Sequence, residues 1–471
     1  MKWVLFIPEL WVLLMSAFFF GMSMAARPNP RRDYFIALFF AAAGVIVTLI
    51  AVRMEGTLFF DVYRVDLFSQ VFKVMLAMGL FLIISLCSEL NGIPDFRHHE
   101  FYLLLSICTF AMMVMVSSVE LLTLYIALEL SSYSLYILVA LRKDHGTPME
   151  AGIKYFLVGA VTSAVMLFGI ASLYGAAHTT SLTDLVKVYP GVVDQPLAFI
   201  GLLFTLCGFF FKLALFPFHV WAPGVYQGAA NQVTAYIATA TKVAAVALLM
   251  RIVTLGQSSI PLVHILVVLS IASMTLGNLV AVMQRDMKRL LAYSAIAHAG
   301  YVLIGILSMS PEGYAGAIYY AVAYLIMNFT CFLVVIKVAD DGRDLQIDQL
   351  AGLHRRSPLL AMALMLGVFS LGGIPPTIGF TGKFLVLVAA MQKGYFYLVF
   401  IAMINVVISL YYYALVVKAA YLLEQEKEMP AITLSPAVRL LTVAMVILIV
   451  AGGLFPGPLY AIARAAARLL V

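Results

Sequence analysis

The chain of 471 residues is 64% hydrophobic and 11% charged, whereas an ordinary soluble domain is about 25% charged. Apolar runs of about 20 residues, each long enough to span the ~30 Å hydrocarbon core of a bilayer, recur along its whole length, so the sequence excludes a soluble domain and predicts a membrane protein. The net charge of +6 comes from Arg and Lys in short connectors between these runs, which excludes nucleic-acid binding as well.

Apolar runs bounded by charged residues or by Pro and Gly clusters predict about fourteen membrane-spanning helices. The first run is a spanning helix and not a cleaved signal peptide, because Arg27, Arg31 and Arg32 follow it and one lysine precedes it, the reverse of a signal. The predicted helices lie near residues 4–26, 34–52, 66–88, 100–117, 119–141, 150–175, 197–220, 231–253, 260–283, 290–309, 314–338, 357–390, 395–421 and 437–455. The predicted fold class is an all-α polytopic membrane protein.

The distribution of basic residues predicts the orientation of the helices. If the N-terminus lies outside, the inner loops and their flanks collect seventeen Lys and Arg and the outer ones eight, which agrees with the positive-inside rule. An even number of helices returns the C-terminus to the outside, where a short tail with Arg464 and Arg468 would rest on the membrane interface. We therefore expect a multi-pass protein of the cell inner membrane with both termini on the external side.

Two of the later helices carry breakers near their centres, Pro217 in helix seven and the pair Pro375 and Pro376 in helix twelve. Proline removes a backbone donor, so both helices should be discontinuous and line an interior cavity. The breaks are five helices apart, which predicts two inverted five-helix repeats, helices 4–8 and 9–13. The predicted units are an N-terminal three-helix segment at 1–99, the repeats at 100–255 and 256–425, and a C-terminal helix with its tail at 426–471.

Four ionisable residues lie deep within the predicted helices: Glu129 in helix five, Lys212 in helix seven, Lys242 in helix eight and Lys383 in helix twelve. A charge at that depth costs about 3 kcal/mol on insertion scales, so it indicates a function and needs a partner. A structural salt bridge is the alternative, but three lysines and one glutamate leave an excess of positive charge. Because desolvation favours the neutral amine, such lysines can release and rebind protons near neutral pH.

Several polar residues are weaker candidates. His219, just after the helix-seven break, and His298, near the middle of helix ten, could each relay protons or serve as a packing group. Glu9, Lys73 and Lys154 lie nearer helix ends, where we expect their charged groups to extend to the interface. Hydroxyl groups near the ions could order water or favour close helix packing; they belong to Ser131, Ser132, Ser134, Thr239 and Thr241.

The sequence shows no ligand set for a metal or a redox cofactor. The cysteines are isolated within apolar runs, without a CxxC pair; they are Cys87, Cys108, Cys207 and Cys331. A Walker loop, a dinucleotide-binding glycine motif and a nucleophile elbow are also missing from the sequence. We therefore expect a chain that is driven by an ion gradient or by a partner protein.

Three stretches of the sequence resemble the antiporter-like subunits of respiratory complex I, the NADH–quinone oxidoreductase. They are Phe211–Ala229 around the helix-seven break, Met287–Ser294 at the start of helix ten and Gly373–Phe384 around the helix-twelve break. The resemblance extends over essentially the whole chain. Within the family the chain is most similar to subunit N, the bacterial counterpart of mitochondrial subunit 2, because position 383 is lysine and not glutamate, the long lateral helix of the largest subunit is missing, and the helix total is fourteen.

The resemblance implies proton translocation coupled to electron transfer in other subunits, and thus a translocase subunit without redox chemistry of its own. It implies no cofactor in this chain, NADH and quinone sites elsewhere in the complex, and partners among the other membrane subunits, especially neighbouring antiporter-like ones. The sequence departs from the family at Gly224, where aspartate is usual, and at Ala230, where proline is frequent, so the loop between helices seven and eight could fold differently. The implied site residues are Glu129 with Lys212 as the coupled pair, Lys242 as the central relay and Lys383 as the distal proton site.

Two other classes of function stay open at this point. A subunit of a multi-subunit cation/proton antiporter or of a membrane-bound hydrogenase would resemble the same family, and the gene neighbourhood would separate these from complex I. A structural membrane scaffold with vestigial buried ions is the third class. A scaffold predicts that replacing Lys212 or Glu129 with alanine leaves proton pumping intact.

Overall fold

The computed structural model describes residues 3–25, 27–143, 147–256, 259–339, 341–424 and 430–470. The predicted end of helix one at Ala26 lies outside these residues. The described helices are α1 (Ile7–Ala25), α2 (Pro30–Ala51), α3 (Leu67–Ser85), α4 (His98–Ser117), α5 (Leu121–Ala140), α6 (Thr147–Ala177), α7 (Leu182–Val192), α8 (Pro196–Leu213), α9 (Trp221–Gly228), α10 (Asn231–Ala238), α11 (Ala240–Val253), α12 (Ile260–Ala281), α13 (Met287–Leu307), α14 (Pro311–Val338), α15 (Leu353–Arg356), α16 (Pro358–Gly372), α17 (Ile378–Gln392), α18 (Phe396–Leu422), α19 (Pro436–Leu454) and α20 (Gly457–Ala467). A hairpin of β1 (Gly56–Leu58) and antiparallel β2 (Tyr63–Val65) joins α2 to α3.

The membrane spans agree with the predicted number. In the described part of the chain, thirteen helices are long and apolar enough to cross a membrane, counting α10 and α11 as one. The shorter apolar helices α16 and α17 follow each other across a break and together make up one more span. Fourteen spans put both ends of the chain at one end of the bundle, which we call the terminal face; the other end is the opposite face.

The terminal face carries elements that apolar periodicity did not reveal. The hairpin lies there, and α7 is a short amphipathic helix that buries Leu182, Leu185 and Tyr189. The Arg251 guanidinium on α11 binds both carboxylate oxygens of Asp66, the N-cap of α3, at 3.1 Å. The predicted C-terminal tail is α20, which contacts α14 and α3.

Both predicted helix breaks are present. Helix α8 ends at Leu213, where Ala214 takes a left-handed conformation with φ 57°, and α16 ends at Gly372, where Gly373 has φ 82°. The peptide bonds preceding Pro217 and Pro376 are cis. The departures from the family pattern leave the neighbouring helices intact, since Gly224 lies within α9 and Ala230 precedes α10. The four predicted units and their boundaries stay a prediction.

The predicted eighth helix, residues 231–253, is interrupted at Thr239, which has φ −114° and ψ −80° and separates α10 from α11. Neither Pro nor Gly marks this position. The Thr239 hydroxyl donates to the Ala235 carbonyl at 2.6 Å, and the Thr241 hydroxyl donates to the Ile237 carbonyl at 2.7 Å. Such bonds to the preceding turn compete with the backbone ladder and bend helices. The interruption comes directly before Lys242.

The expectation that Glu9 and Lys73 extend to the interface is wrong. Glu9 on α1 and Lys73 on α3 form an ion pair at 2.8 Å, and both side chains are 0% exposed. The Tyr63 hydroxyl on β2 donates to Glu9 at 2.6 Å, and its ring lies 5.1 Å from the Lys73 Nζ. The hairpin therefore closes this pair off from water. Lys154 differs from them, because its side chain is 63% exposed and pairs with Glu150; its reach to the interface stays a prediction.

Close packing of α6 against α8 depends on Gly169. A methyl group there would meet the Thr205 backbone nitrogen and lie 2.8 Å from the Gly201 carbonyl oxygen. We expect Gly169→Ala to destabilise the protein by about 1–3 kcal/mol, because rigid backbones would have to separate. The measurement is the thermal stability of the detergent-solubilised protein. Gly175→Ala on the same helix is the matched control, since its nearest neighbour, Leu197, is 3.6 Å away; equal stability of the two variants would contradict the prediction.

Candidate functional site

Lys212 lies in the last turn of α8, directly before the break. It is 3% exposed, because α8 is buried at this end. Its Nζ donates a hydrogen bond to the Ser131 hydroxyl on α5 at 2.9 Å. The first buried lysine therefore contacts helix α5 through a neutral acceptor.

Glu129 stands two residues before Ser131 on α5 and accepts a hydrogen bond from the Ser163 hydroxyl on α6. Unlike the lysines, it is only partly buried. Ile126 and Tyr133, which lie on the same helix face, are 66% and 51% exposed. Glu129 therefore faces the flank of the chain while Ser131 faces Lys212. The structure brings the two predicted partners to one segment of α5, and their role as a coupled pair stays a prediction.

Lys242 is held at the carbonyl end of α8. Its Nζ donates to the Lys212 backbone carbonyl at 2.9 Å and lies 5.0 Å from the centre of the Trp221 ring. Trp221 is fixed by its own bond from Nε1 to the Phe211 carbonyl, 3.1 Å, and by stacking on Tyr155 at 4.4 Å. The unpaired carbonyls at a helix C-terminus carry partial negative charge, which stabilises an ammonium group.

A small cavity separates Lys242 from the second half of the chain. Its volume is about 20 Å³, and Lys242, His298 and Tyr324 are the polar residues among its lining. A cavity needs roughly 10–15 Å³ to hold one water molecule, which must also find polar partners. This space between Lys242 and His298 is therefore large enough for a single water, but the surface it exposes is apolar, so polar atoms must turn towards it before a water is held there.

His298 on α13 is the centre of a buried hydrogen-bonded group. Its Nδ1 is 2.5 Å from the Tyr320 hydroxyl and its Nε2 is 3.3 Å from the Tyr413 hydroxyl. Tyr413 also bonds to the Ser294 hydroxyl at 2.5 Å. Hydroxyl groups can donate and accept at once, so this group can pass a proton in either direction. The structure thus places His298 between the cavity and α18.

Lys383 on α17 repeats the arrangement of Lys242. Its Nζ donates to the carbonyls of Leu371 and Gly372 at 2.8 and 3.1 Å, which are the last residues of α16. The Tyr301 ring centre lies 4.7 Å from the same Nζ, as Trp221 lies beside Lys242. At each of the two proline breaks, a buried lysine therefore binds the carbonyl end of the half-helix before the break and rests on an aromatic ring.

The other predicted residues have different surroundings. His219 is partly buried beside the helix-seven break and stacks on Phe216 with ring centres 5.7 Å apart. Ser132 and Ser134 donate to carbonyls of their own helix, as do both threonines. Of the five predicted hydroxyls, Ser131 is the one bonded to a lysine.

Sequence reasoning missed the aromatic residues of the site. Trp221 and Tyr301 lie under the lysines, while Tyr320 and Tyr413 bind His298. The sequence contains 24 tyrosines, so tyrosine alone gave no usable signal. The i, i+4 spacing of Tyr320 and Tyr324 puts both on one face of α14. This spacing was the one signal in the sequence that could have indicated a tyrosine-lined site. Among the described residues, no group of three or more His, Cys, Asp or Glu could hold a metal ion.

Comparison with known proteins gives consistent matches. A family model described as "NADH:quinone oxidoreductase/Mrp antiporter, TM" matches residues 118–409. The curated "NADH-quinone oxidoreductase subunit N 2" of Syntrophobacter fumaroxidans is 58% identical over 472 residues, with 100% of both chains covered. The similarity therefore extends beyond the family model to the whole chain, including the N-terminal helices.

Solved structures match over similar lengths. A chain of respiratory complex I from Thermus thermophilus superposes with a TM-score of 0.84 at 31% identity, over 96% of this chain and 98% of that one. A chain of the Mrp complex from Dietzia sp. DQ12-45-1b has a TM-score of 0.87 at 19% identity, over 100% and 98% of the two chains. The second match, at this low identity, shows a shared fold alone.

Proposed function

The chain belongs to the subunit N family of NADH–quinone oxidoreductase, and on this premise we propose that it is a proton-translocating membrane subunit of that complex. Its buried side chains would move protons while electrons are transferred in other subunits. The observation that carries the proposal is that Lys212, Lys242 and Lys383 are each buried and bonded to a neutral acceptor.

Neutral acceptors allow a buried lysine to change its charge. If a lysine in a buried ion pair loses its proton, the partner carboxylate is left uncompensated in a low dielectric, at a cost of several kcal/mol. A lysine bonded to a hydroxyl or a carbonyl leaves no such charge behind. Lys73, which pairs with Glu9, is the counterexample within the same chain. The three lysines are therefore suited to exchange protons, and Lys73 is suited to hold one.

The proposed route crosses both halves of the chain. Protons pass between the Lys212 and Lys242 amines by way of water. The Lys242 Nζ binds the Lys212 backbone carbonyl, which holds it at the end of α8 and does not itself carry the proton. The small cavity lies between Lys242 and His298, and a water that enters it when these side chains turn towards it would join them. The tyrosine hydroxyls around His298 then lead towards Lys383. His219 is a candidate for a separate relay at the helix-seven break.

Glu129 is suited to receive the coupling signal from a partner. Its side chain lies at the flank of the chain beside exposed Ile126 and Tyr133, where another membrane subunit of the complex, such as an antiporter-like one, would cover it. A change of charge in that neighbour would alter the electrostatic interaction between Glu129 and Lys212. The partners proposed are therefore other membrane subunits, with lipid around the remaining surface.

The orientation and the cofactors are also proposals. We place both termini on the external side of the cell inner membrane, because the loops predicted from the sequence to lie on the inner side hold, with their flanks, seventeen Lys and Arg against eight on the outer side, and basic residues favour the cytoplasmic side. The opposite face is then cytoplasmic. NADH and quinone would bind other subunits of the complex, and this chain would hold no cofactor.

Proton pumping by the assembled complex tests the proposal. We expect Lys212→Arg to keep the bond to Ser131 but to abolish most NADH-driven pumping, because a guanidinium does not release its proton in proteins. Pumping is measured as dye quenching in inside-out membrane vesicles, with NADH oxidation by an artificial acceptor as the control for assembly. Lys154→Arg is the matched exchange at an exposed lysine. If an assembled Lys212→Arg complex pumps like the wild type, the proposed role of the buried lysines is wrong.

A further inference from the structure

The sequence motif at the start of helix ten contains a buried lysine that the proposed route does not use. Resting on the proposed function, we propose that Lys288 and Asp344 form the uptake site through which protons from the opposite face enter the route. Lys288 is 0% exposed and pairs with Asp344 at 2.7 Å, and the Asp344 side chain is 29% exposed. The pair therefore spans the boundary between solvent and the protein interior.

Asp344 is in contact with a large volume of solvent. It lines a surface cavity of about 450 Å³ at the opposite face, together with Lys337, Asp341, Arg343 and Arg356. Lys288 does not line this cavity and lies behind Asp344. A proton that leaves the cavity can reach Lys288 through the carboxylate, which can bind it on one oxygen and pass it on.

On its inner side, Lys288 binds the C-terminal end of α9. Its Nζ donates to the carbonyls of Gln227 and Ala229 at 2.9 and 3.0 Å, at the C-terminal end of that helix. Trp221, the first residue of α9, lies against the Nζ of Lys242. Eight residues of helix are about 12 Å long. Lys288 and Lys242 therefore contact opposite ends of α9. The carbonyl ends of two other half-helices are bound in the same way, that of α8 by Lys242 and that of α16 by Lys383.

The half-helix α9, whose two ends these lysines contact, carries a buried tyrosine. Tyr226 on α9 is 0% exposed, and its hydroxyl has no hydrogen-bond partner among the described residues. Buried polar groups are nearly always paired with protein or with ordered water. The Tyr226 hydroxyl is therefore a place for a water molecule, and it interacts electrostatically with Tyr324, which lines the small cavity near Lys242.

The charges that face Lys288 allow its deprotonation. Asp344 also binds Arg142 on α5 at 3.0 Å, so two cations share this carboxylate. The other acidic group nearby, Asp286, caps α13 by accepting from the Arg289 backbone N–H. When Lys288 is neutral, Asp344 keeps Arg142 as its partner. The cluster therefore holds a compensated carboxylate in both states of Lys288, unlike the isolated pair of Glu9 and Lys73.

The test uses charge-conserving replacement in the assembled complex. Lys288→Arg keeps the positive charge and the donors to α9 but does not release a proton. We expect this variant to assemble, to oxidise NADH with an artificial acceptor at the wild-type rate, and to lose NADH-driven proton pumping severalfold. Lys337→Arg is the matched control, because that lysine lines the same cavity and pairs with Glu89.

Asp344→Asn is the second variant, since it keeps the shape of the side chain and removes the acid. It also leaves Lys288 and Arg142 without their carboxylate, so NADH oxidation by the artificial acceptor first shows how much complex assembles. Pumping per assembled complex should fall, and the loss should grow as the pH of the external medium of inside-out vesicles rises, because fewer protons then reach Lys288. Wild-type pumping by Lys288→Arg, or by Asp344→Asn if the first variant does not assemble, overturns the uptake site. If Lys212→Arg still abolishes pumping in that case, the proposed function stands and this inference alone fails.

Discussion

Lys242→Met should lower NADH-driven proton pumping by about a hundredfold, the lower end of the contribution of a proton-transfer group. Lys242 is the residue that touches both the Lys212 carbonyl and the cavity next to His298. Methionine has a similar length and cannot carry a proton, so the route is interrupted at its centre. The measurement is dye quenching in inside-out vesicles, normalised to NADH oxidation by an artificial acceptor.

The same exchange at an exposed lysine is the control, because it removes one positive charge without interrupting the proposed route. Lys393 lies at the exposed turn after α17, and Lys393→Met should pump like the wild type. If the Lys242→Met complex assembles and pumps at more than about half the wild-type rate, protons do not pass through Lys242. The second half of the chain would then have to receive its protons by another path.

Glu9→Gln should destabilise the protein by about 3–5 kcal/mol, the cost of leaving one charge of a buried pair without its partner. The Lys73 ammonium would stay at a position that is 0% exposed, with only the Tyr63 ring and a neutral amide beside it. The temperature at which the detergent-solubilised protein loses its structure measures this effect.

The double variant Glu9→Leu with Lys73→Met distinguishes two contributions to stability: the attraction between the two charges, and the cost of burying a charge without its partner. Replacing a buried ion pair by apolar residues of similar volume is often neutral or stabilising, so we expect the double variant to regain most of the lost stability. It should also leave proton pumping unchanged, because this pair takes no part in the route. A double variant as unstable as Glu9→Gln would show that the pair itself supplies stability.

The spanning helices and the breaks were predictable because the bilayer constrains them strongly. A span requires about 20 apolar residues and internally satisfied backbone groups. Both conditions can be recognised from the order of residues along the chain. The breaks at Pro217 and at Pro375–Pro376 follow from the missing N–H of proline. The interruption at Thr239 carries no such signal, since it depends on hydroxyl groups that bind the preceding turn.

Distance from a helix end was a poor guide to burial. Glu9 is the third residue of α1, and Lys73 is the seventh of α3, so both were expected to extend to water. The hairpin that covers them is too short to give a periodic pattern. No described element covers Lys154 on α6 in this way, since its side chain is 63% exposed.

The sequence by itself determined the depth of the ionisable residues, since the position of Glu129, Lys212, Lys242 and Lys383 along an apolar helix sets their place in the membrane. Only the tertiary structure decided what each lysine binds. The acceptor of Lys242 is a carbonyl 30 residues away, and it is free because α8 ends there. Backbone carbonyls are present at every residue, so composition cannot distinguish the few that a broken helix exposes. That geometry separates the lysines bonded to neutral acceptors from Lys73, which is held in an ion pair.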